Sequence, residues 1–166
     1  MSDHEALATR FIADCRAAGI MAATAESCTG GLIAGAITDI SGSSAVLDRG
    51  FVTYSNEAKM EMLGVARQTL DVHGAVSRET ALEMATGALA KSRAGIALSV
   101  TGIAGPGGGS TQKPVGLVWF AIAMEGKPAT AESRTFQDHG RAFIRAETVR
   151  TALELGIAAL GAHATR

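Results

Sequence analysis

The amino-acid sequence predicts an α/β protein, a three-layer α/β/α sandwich with a mixed sheet of about five strands. Helical and strand patterns alternate along most of the chain, which is typical of helices packed on both faces of a sheet. Residues 96–101 form a continuous apolar strand of the kind that is buried on both faces. Two strand candidates separated by a Gly-Lys-Pro turn then predict a late antiparallel pair. The 166 residues suit one domain, spanning 1–166.

The N-terminal part of the chain predicts a helix, a strand and a second helix. Residues 3–18 have an amphipathic pattern that Gly19 ends. A short apolar strand over about 20–25 follows, and apolar spacing predicts a helix over about 30–38. The apolar positions of the first helix are Leu7, Phe11, Ile12 and Cys15.

The middle of the chain predicts one strand and several helices. Residues 51–54 are aromatic and β-branched, as strands often are. A Ser-Asn pair then provides a cap for a helix over 57–63, and residues 65–74 predict a short helix with a loop. A serine followed by polar and acidic residues begins the next helix, over 77–92.

The C-terminal part predicts three strands and the longest helix. The buried strand 96–101 runs into residues 102–110, which contain five glycines. Residues 115–124 form the longest strand candidate, and 131–136 alternate as an edge strand does. The last helix is predicted over 139–160.

Composition excludes several classes of protein. The apolar fraction of 47% predicts a folded domain, and the net charge of −1 gives no broad electrostatic surface for nucleic acid or an anionic membrane. No apolar run is long enough to span a membrane, and the acidic N-terminus does not resemble a signal peptide, so we expect a cytoplasmic protein. Cys15 and Cys28 indicate neither a disulfide framework nor a cysteine zinc site.

The first candidate site is the glycine-containing turn after the first strand. Its Ser27, Cys28 and Thr29 are possible nucleophiles, and backbone N–H groups of Thr29, Gly30 and Gly31 could hold an oxyanion at the start of the next helix. The simpler interpretation is a tight turn in which Ser27 or Thr29 only caps that helix.

Lys59 is the candidate base for such a nucleophile. It follows the second strand together with Tyr54, and both reach the sheet edge that carries Ser27 if the two strands are neighbours. A lysine screened from water can act as a base near neutral pH, although most lysines are solvated surface charges. None of the histidines is a convincing base; they are His4, His73, His139 and His163.

Two further features suit an anionic ligand. The loop over 102–110 could form a nest of N–H groups, or could be a mobile surface loop. Arg141 and Arg145 lie four residues apart on the last helix, where a phosphate between them, or pairing with Asp138 or Glu147, would relieve their repulsion. No cluster of Asp, Glu, His or Cys has the spacing of a metal site, so we expect no metal and no cofactor.

Together these stretches closely resemble the CinA C-terminal domain family, whose characterised members are nicotinamide-nucleotide amidohydrolases. The resemblance covers about residues 4–160, with the motifs in matching order. The motifs are at residues 25–31, 49–59, 73–77, 101–106 and 113–116.

The resemblance implies hydrolysis of nicotinamide mononucleotide to nicotinate mononucleotide and ammonia, without a metal, by a homodimer or higher oligomer. It also implies that Ser27 is the nucleophile, Lys59 the base and Tyr54 a supporting hydroxyl. The residues expected to bind the substrate or its oxyanion are Cys28, Thr29, Gly30, Gly31, Thr101, Gly102, Gly105, Arg141 and Arg145.

Two other functions stay open at this point. One is a catalytically silent nucleotide-binding module linked to DNA uptake, although such a module needs no nucleophile with a base. The other is the same amidohydrolase chemistry on a different amide, which the sequence does not distinguish from the first.

Overall fold

The computed structural model describes residues 2–165 and confirms the three-layer α/β/α architecture. The helices are α1 (Asp3–Ala18), α2 (Leu32–Thr38), α3 (Asn56–Leu63), α4 (Arg67–His73), α5 (Arg78–Ala90) and α6 (Arg141–Ala164), with a 3₁₀ turn at Ser43–Ala45. The strands are β1 (Ala22–Glu26), β2 (Leu47–Val52), β3 (Ile96–Gly102), β4 (Leu117–Met124) and β5 (Thr130–Thr135).

The five strands form one mixed sheet in the order β2-β1-β3-β4-β5. Strand β1 is parallel to both β2 and β3, so the carboxyl ends of these three strands meet at one edge. Strand β4 runs antiparallel to β3 and to β5, which confirms the predicted late pair.

Alternate residues of β1 face the two helical layers, because side chains along a strand point to opposite sides of the sheet. Ala22 packs into the larger core with residues of α1, α2 and α6. Ala23 and Ala25 pack into a second core with residues of α3, α4 and α5. The small side chains of β1 let both layers approach the sheet closely.

The predicted helix ends are confirmed where a side chain or a glycine determines them. The Ser55 hydroxyl accepts a hydrogen bond from the Ala58 N–H at the start of α3, and Ser77 does the same for Thr80 at the start of α5. Gly19 ends α1 in the left-handed conformation that glycine tolerates best. The cap of α3 fixes the start of the helix that carries Lys59.

Some predicted boundaries are wrong by a few residues. Strand β2 begins at Leu47 and ends at Val52, because its pairing with β1 extends through Gly50 opposite Thr24. Helix α2 begins at Leu32 rather than near residue 30, since Gly30 and Gly31 have positive φ angles of 57° and 104° and belong to the preceding turn. Within residues 2–165, no helix combines the length and apolarity needed to cross a bilayer.

Candidate active site

The candidate active site lies at the sheet edge where β1, β2 and β3 end. Ser27 directly follows β1, and Lys59 lies on α3, the helix after β2. Thr101 and Gly102 are the last residues of β3. The parallel pairing of β1 with β2 thus brings Ser27 and Lys59 together, although 32 residues separate them in the chain.

Ser27 and Lys59 form a buried pair. The Lys59 Nζ lies 2.9 Å from the Ser27 Oγ, within hydrogen-bond distance. The Lys59 residue is only 1% exposed and Ser27 is 9% exposed. The alternative in which Lys59 is a solvated surface charge is therefore wrong.

Two backbone carbonyls complete the surroundings of the Lys59 amine. Nζ donates to the carbonyl oxygen of Thr53 at 2.8 Å and to that of Tyr54 at 3.3 Å. Carbonyl oxygens accept hydrogen bonds and cannot donate them, so they occupy two N–H groups whether the amine is charged or neutral. In the neutral amine, the lone pair then points at Ser27, where it can accept the hydroxyl proton.

Burial also favours the neutral form of Lys59. Desolvation lowers the pKa of Lys59 from 10.5 to about 8, and the nearby Cys28 thiol opposes the shift. About one lysine in ten is then neutral at pH 7, and about half at pH 8. A base with this pKa is suited to proton transfer near neutral pH.

Ser27 is the only one of the three candidate nucleophiles in the turn that contacts Lys59 in residues 2–165. The Thr29 hydroxyl is fully buried and donates to the Glu26 Oε1 at 2.6 Å. Burial raises the pKa of the Cys28 thiol to about 11, so this thiol is protonated at neutral pH. The geometry therefore favours Ser27 over both neighbours.

Glu26 shapes this turn, which its position in the sequence had not led us to expect. Its buried carboxylate accepts hydrogen bonds from the N–H groups of Ile33 at 2.8 Å and Ala34 at 3.0 Å, in addition to Thr29. The Ile33 and Ala34 N–H groups of α2 are therefore already bonded, so an oxyanion at this turn would need the N–H groups that precede the helix. An acidic residue at the end of an apolar strand, just before a helix, was the signal in the sequence.

The backbone N–H groups of the turn differ in whether they already have a hydrogen-bond acceptor. The N–H of Gly30, one of the predicted oxyanion donors, bonds to the Ser27 carbonyl at 3.1 Å. Within residues 2–165, the N–H groups of Cys28 and Thr29 have no backbone or side-chain oxygen acceptor. Gly30 and Gly31 shape the turn through their positive φ angles.

Arg141 and Arg145 have separate surroundings, so no acceptor of the protein is shared between them in residues 2–165. The Arg145 guanidinium donates to the carbonyls of Cys28 at 3.1 Å and Thr29 at 3.2 Å, which ties α6 to the turn. Arg141 donates to the Gly105 carbonyl and to the Tyr54 hydroxyl, both at 2.9 Å. Neither arginine forms an ion pair with an acidic side chain in residues 2–165, so the pairing with Asp138 or Glu147 is wrong.

Tyr54 contributes to the site in two ways. Its carbonyl contacts the Lys59 amine, whereas its hydroxyl bonds to Arg141. Arginine has no acceptor, so the Tyr54 oxygen accepts from it and the hydroxyl proton remains available to a ligand. The side chain lies at the mouth of the site, with 62% of the residue exposed.

A cavity of about 220 Å³ opens next to the Ser27–Lys59 pair. The Thr101 hydroxyl donates to the Ala75 carbonyl at 2.8 Å, which fixes one wall. Gly102 is needed there because a side chain would collide with Val118 and with the Leu117 carbonyl. The lining residues are Ser27, Cys28, Tyr54, Lys59, Ala75, Val76, Thr101, Gly102, Ala104 and Arg141. Within residues 2–165, no three His, Cys, Asp or Glu side chains come together as metal ligands would.

An α/β/α domain with a buried serine–lysine pair at the carboxyl edge of its parallel strands has the arrangement of a serine hydrolase without a histidine. The chain belongs to the CinA C-terminal domain family, whose pattern it matches over residues 4–160. This finding confirms the resemblance seen in the sequence.

Individual proteins that are similar to this chain carry names that are consistent with this family. An Escherichia coli (strain K12) protein named nicotinamide-nucleotide amidohydrolase PncC is 62% identical over 108 residues, which cover 65% of this chain and 66% of that protein. An Enterobacter agglomerans protein of the same name is 56% identical over 79% of this chain and 80% of its own length. A crystal structure of the competence/damage inducible protein CihA from Agrobacterium tumefaciens is 58% identical, covers 97% of each chain and has a TM-score of 0.93.

Proposed function

We propose that this protein hydrolyses the carboxamide of nicotinamide mononucleotide, which yields nicotinate mononucleotide and ammonia. The observation that carries the proposal is the 2.9 Å contact between the Ser27 Oγ and a desolvated Lys59 amine. The names of the relatives, nicotinamide-nucleotide amidohydrolases, give the substrate class.

The first half of the proposed reaction forms an acyl-enzyme. Neutral Lys59 takes the proton of Ser27 while Oγ forms a bond to the carboxamide carbon, and the carbonyl π electrons move to oxygen. The N–H groups of Cys28 and Thr29, which have no oxygen acceptor in residues 2–165, stabilise that oxyanion. The tetrahedral intermediate then collapses, the C–N bond breaks, and the Lys59 ammonium gives its proton to the departing nitrogen as ammonia forms.

The second half returns the enzyme to its starting state. A water molecule attacks the acyl carbon, and Lys59, neutral again, takes a proton from it. The ester bond to Ser27 breaks, the proton on Lys59 goes to Oγ, and the acid product leaves. The Tyr54 hydroxyl is placed at the cavity mouth to donate to the substrate, and Arg141 holds it there.

Catalysis explains the buried lysine better than silent binding does. In residues 2–165, Lys59 contacts carbonyls and a hydroxyl but no carboxylate, so its burial disfavours the charged form without an ion pair. A nucleotide-binding module gains nothing from such a group, whereas a base needs it. The proposal is tested by measuring ammonia release from nicotinamide mononucleotide by purified protein without added metal. No release at any protein concentration would refute it.

We expect kcat/KM to rise with pH and to level off above about pH 8. The base must be neutral to accept the serine proton, and the pKa of Lys59 is lowered to about 8. Below that value the rate should increase by about tenfold per pH unit, because the neutral fraction does so. Initial rates from pH 6 to 9.5, with the ammonia detection calibrated at each pH, measure this profile. A rate that falls as pH rises from 6 to 8 would contradict Lys59 as the base.

A further inference from the structure

A second, more open groove of about 510 Å³ adjoins the catalytic cavity. The two spaces are separated by residues 73–77, called here the wall segment, and Val76 lines both of them. The groove also contacts Arg78, Gln112, Lys113 and Trp119. Val76 is therefore the residue that a ligand reaching from the catalytic cavity into the groove would pass.

Lys113 places a positive charge in the groove. Its Nζ donates to the carbonyl of His73, in the wall segment, at 2.6 Å, and the side chain is half-buried. In residues 2–165, no carboxylate lies within ion-pair distance of it, so its charge is not neutralised. One hydrogen bond uses only one of its three N–H donors.

The backbone of Lys113 is held in place by a tight turn. Its N–H donates to the Ser110 hydroxyl at 3.0 Å, and its carbonyl accepts from the Ser110 N–H at 2.8 Å. Lys113 therefore projects from a fixed point and not from a free loop. It also begins one of the motifs that carried the family resemblance, at residues 113–116, to which the catalytic mechanism assigns no role.

Of the remaining charged groups in the groove, Arg78 favours an anion and Glu79 opposes it, so with Lys113 two cations face one carboxylate. Arg78 donates to the Ala131 carbonyl at 3.0 Å and, within residues 2–165, forms no ion pair. The acid of the groove, Glu79, lies 3.6 Å from the His73 ring nitrogen. Trp119, half-buried, adds a flat apolar surface beside these charges.

Other places for the phosphate of a nucleotide are less suitable. Glu26 already occupies the start of α2, and the Arg145 guanidinium bonds to the carbonyls of Cys28 and Thr29. Arg141 lines the catalytic cavity itself, where it holds Tyr54. Lys113 lines the groove and not the catalytic cavity, and it bonds to the wall segment, so its charge lies outside the space next to Ser27.

We propose that this groove binds the phosphate monoester of the mononucleotide substrate, with Lys113 as the main cation and Arg78 as the second. The inference rests on the proposed function and adds to it. The catalytic cavity takes the carboxamide-bearing ring, and the groove distinguishes the mononucleotide from the nucleoside with the same amide, which lacks the phosphate.

The test compares Lys113→Met with wild type on nicotinamide mononucleotide and on nicotinamide riboside, which lacks the phosphate. We expect kcat/KM for the mononucleotide to fall about 10- to 100-fold more than for the nucleoside, as removal of a hydrogen bond to a charged group does. Lys113→Arg should retain most of the preference for phosphate. Lys127→Met, a lysine in the turn between β4 and β5, is the matched control and should behave as wild type.

An equal loss on both substrates would overturn the proposal, because it would mean that Lys113 only supports the wall segment. Unchanged kinetics in Lys113→Met would also overturn it. So would a fall in kcat/KM that is selective for the mononucleotide in Arg141→Met but not in Lys113→Met.

A binding measurement separates this inference from the proposed function. We expect nicotinamide mononucleotide to raise the Tm of the Ser27→Ala protein, and the addition of Lys113→Met to remove most of that shift. If wild type releases no ammonia, the proposed function fails, whereas the shift still tests the groove. A Tm shift that Lys113→Met leaves intact would refute the groove alone.

Discussion

Ser27→Ala is expected to reduce ammonia release from nicotinamide mononucleotide by roughly four orders of magnitude or more, as loss of a nucleophile does in serine hydrolases. The variant removes the only nucleophilic candidate in the turn that contacts Lys59. The fold should persist, because Lys59 keeps its bonds to the Thr53 and Tyr54 carbonyls. Ammonia release is measured beside a circular-dichroism melt of the same sample.

The matched control for this substitution is Ser44→Ala, which removes the hydroxyl of an exposed serine in the 3₁₀ turn. It should leave activity unchanged. Activity retained in Ser27→Ala would instead assign the nucleophile to Cys28 or Thr29. That result would contradict the arrangement described here, in which one residue is a protonated thiol and the other bonds to Glu26.

Lys59→Met is expected to reduce activity by roughly two to four orders of magnitude, the usual contribution of a general base. Methionine has similar length and is apolar, so the variant removes the amine without introducing a new charge. The residual rate should no longer follow the rise toward pH 8, because the titrating group is absent. A variant with wild-type activity or an unchanged pH profile would contradict the role of Lys59.

The same substitution should change how stability depends on pH. The pKa of Lys59 is lowered in the folded protein, from 10.5 to about 8, so the unfolded chain binds more protons between these values. Lys59 should therefore contribute about 3 kcal/mol more to the unfolding free energy at pH 10.5 than at pH 8. This gain is read as the change in the difference between wild type and Lys59→Met, because the buried Cys15 and Cys28 thiols titrate over the same range in both proteins. Urea unfolding at several pH values measures this gain.

Lys59→Met should lack that gain, whereas the matched variant Lys91→Met, at an exposed lysine, should retain it. Parallel stability curves for wild type and Lys59→Met from pH 8 to 10.5 would show that the lysine is not desolvated.

The fold was predictable from the sequence because periodicity and capping residues specify local structure. The serines that begin α3 and α5 and the glycine that ends α1 are local signals, and the structure contains all of them. The approach of Ser27 to Lys59 was also predictable, since parallel neighbouring strands end at the same edge of a sheet.

The surroundings of the site were not predictable, because they depend on contacts between distant segments. The Thr53 and Tyr54 carbonyls surround the Lys59 amine only because β2 ends before them, at Val52. The spacing of Arg141 and Arg145 indicated a shared anion, but the position of α6 directs Arg145 to the carbonyls of the turn. Sequence periodicity carries no information about such tertiary partners.

The buried carboxylate of Glu26 has a consequence for product departure. Burial raises the pKa of the Cys28 thiol, and the Glu26 charge adds to that effect, whereas the charges of Arg145 and Lys59 oppose it. Glu26 therefore offsets part of the positive field that these two cations produce at the cavity wall. An acid formed beside Ser27 by the proposed hydrolysis would be held less tightly than by the cations alone, so the carboxylate that shapes the turn also limits retention of the product.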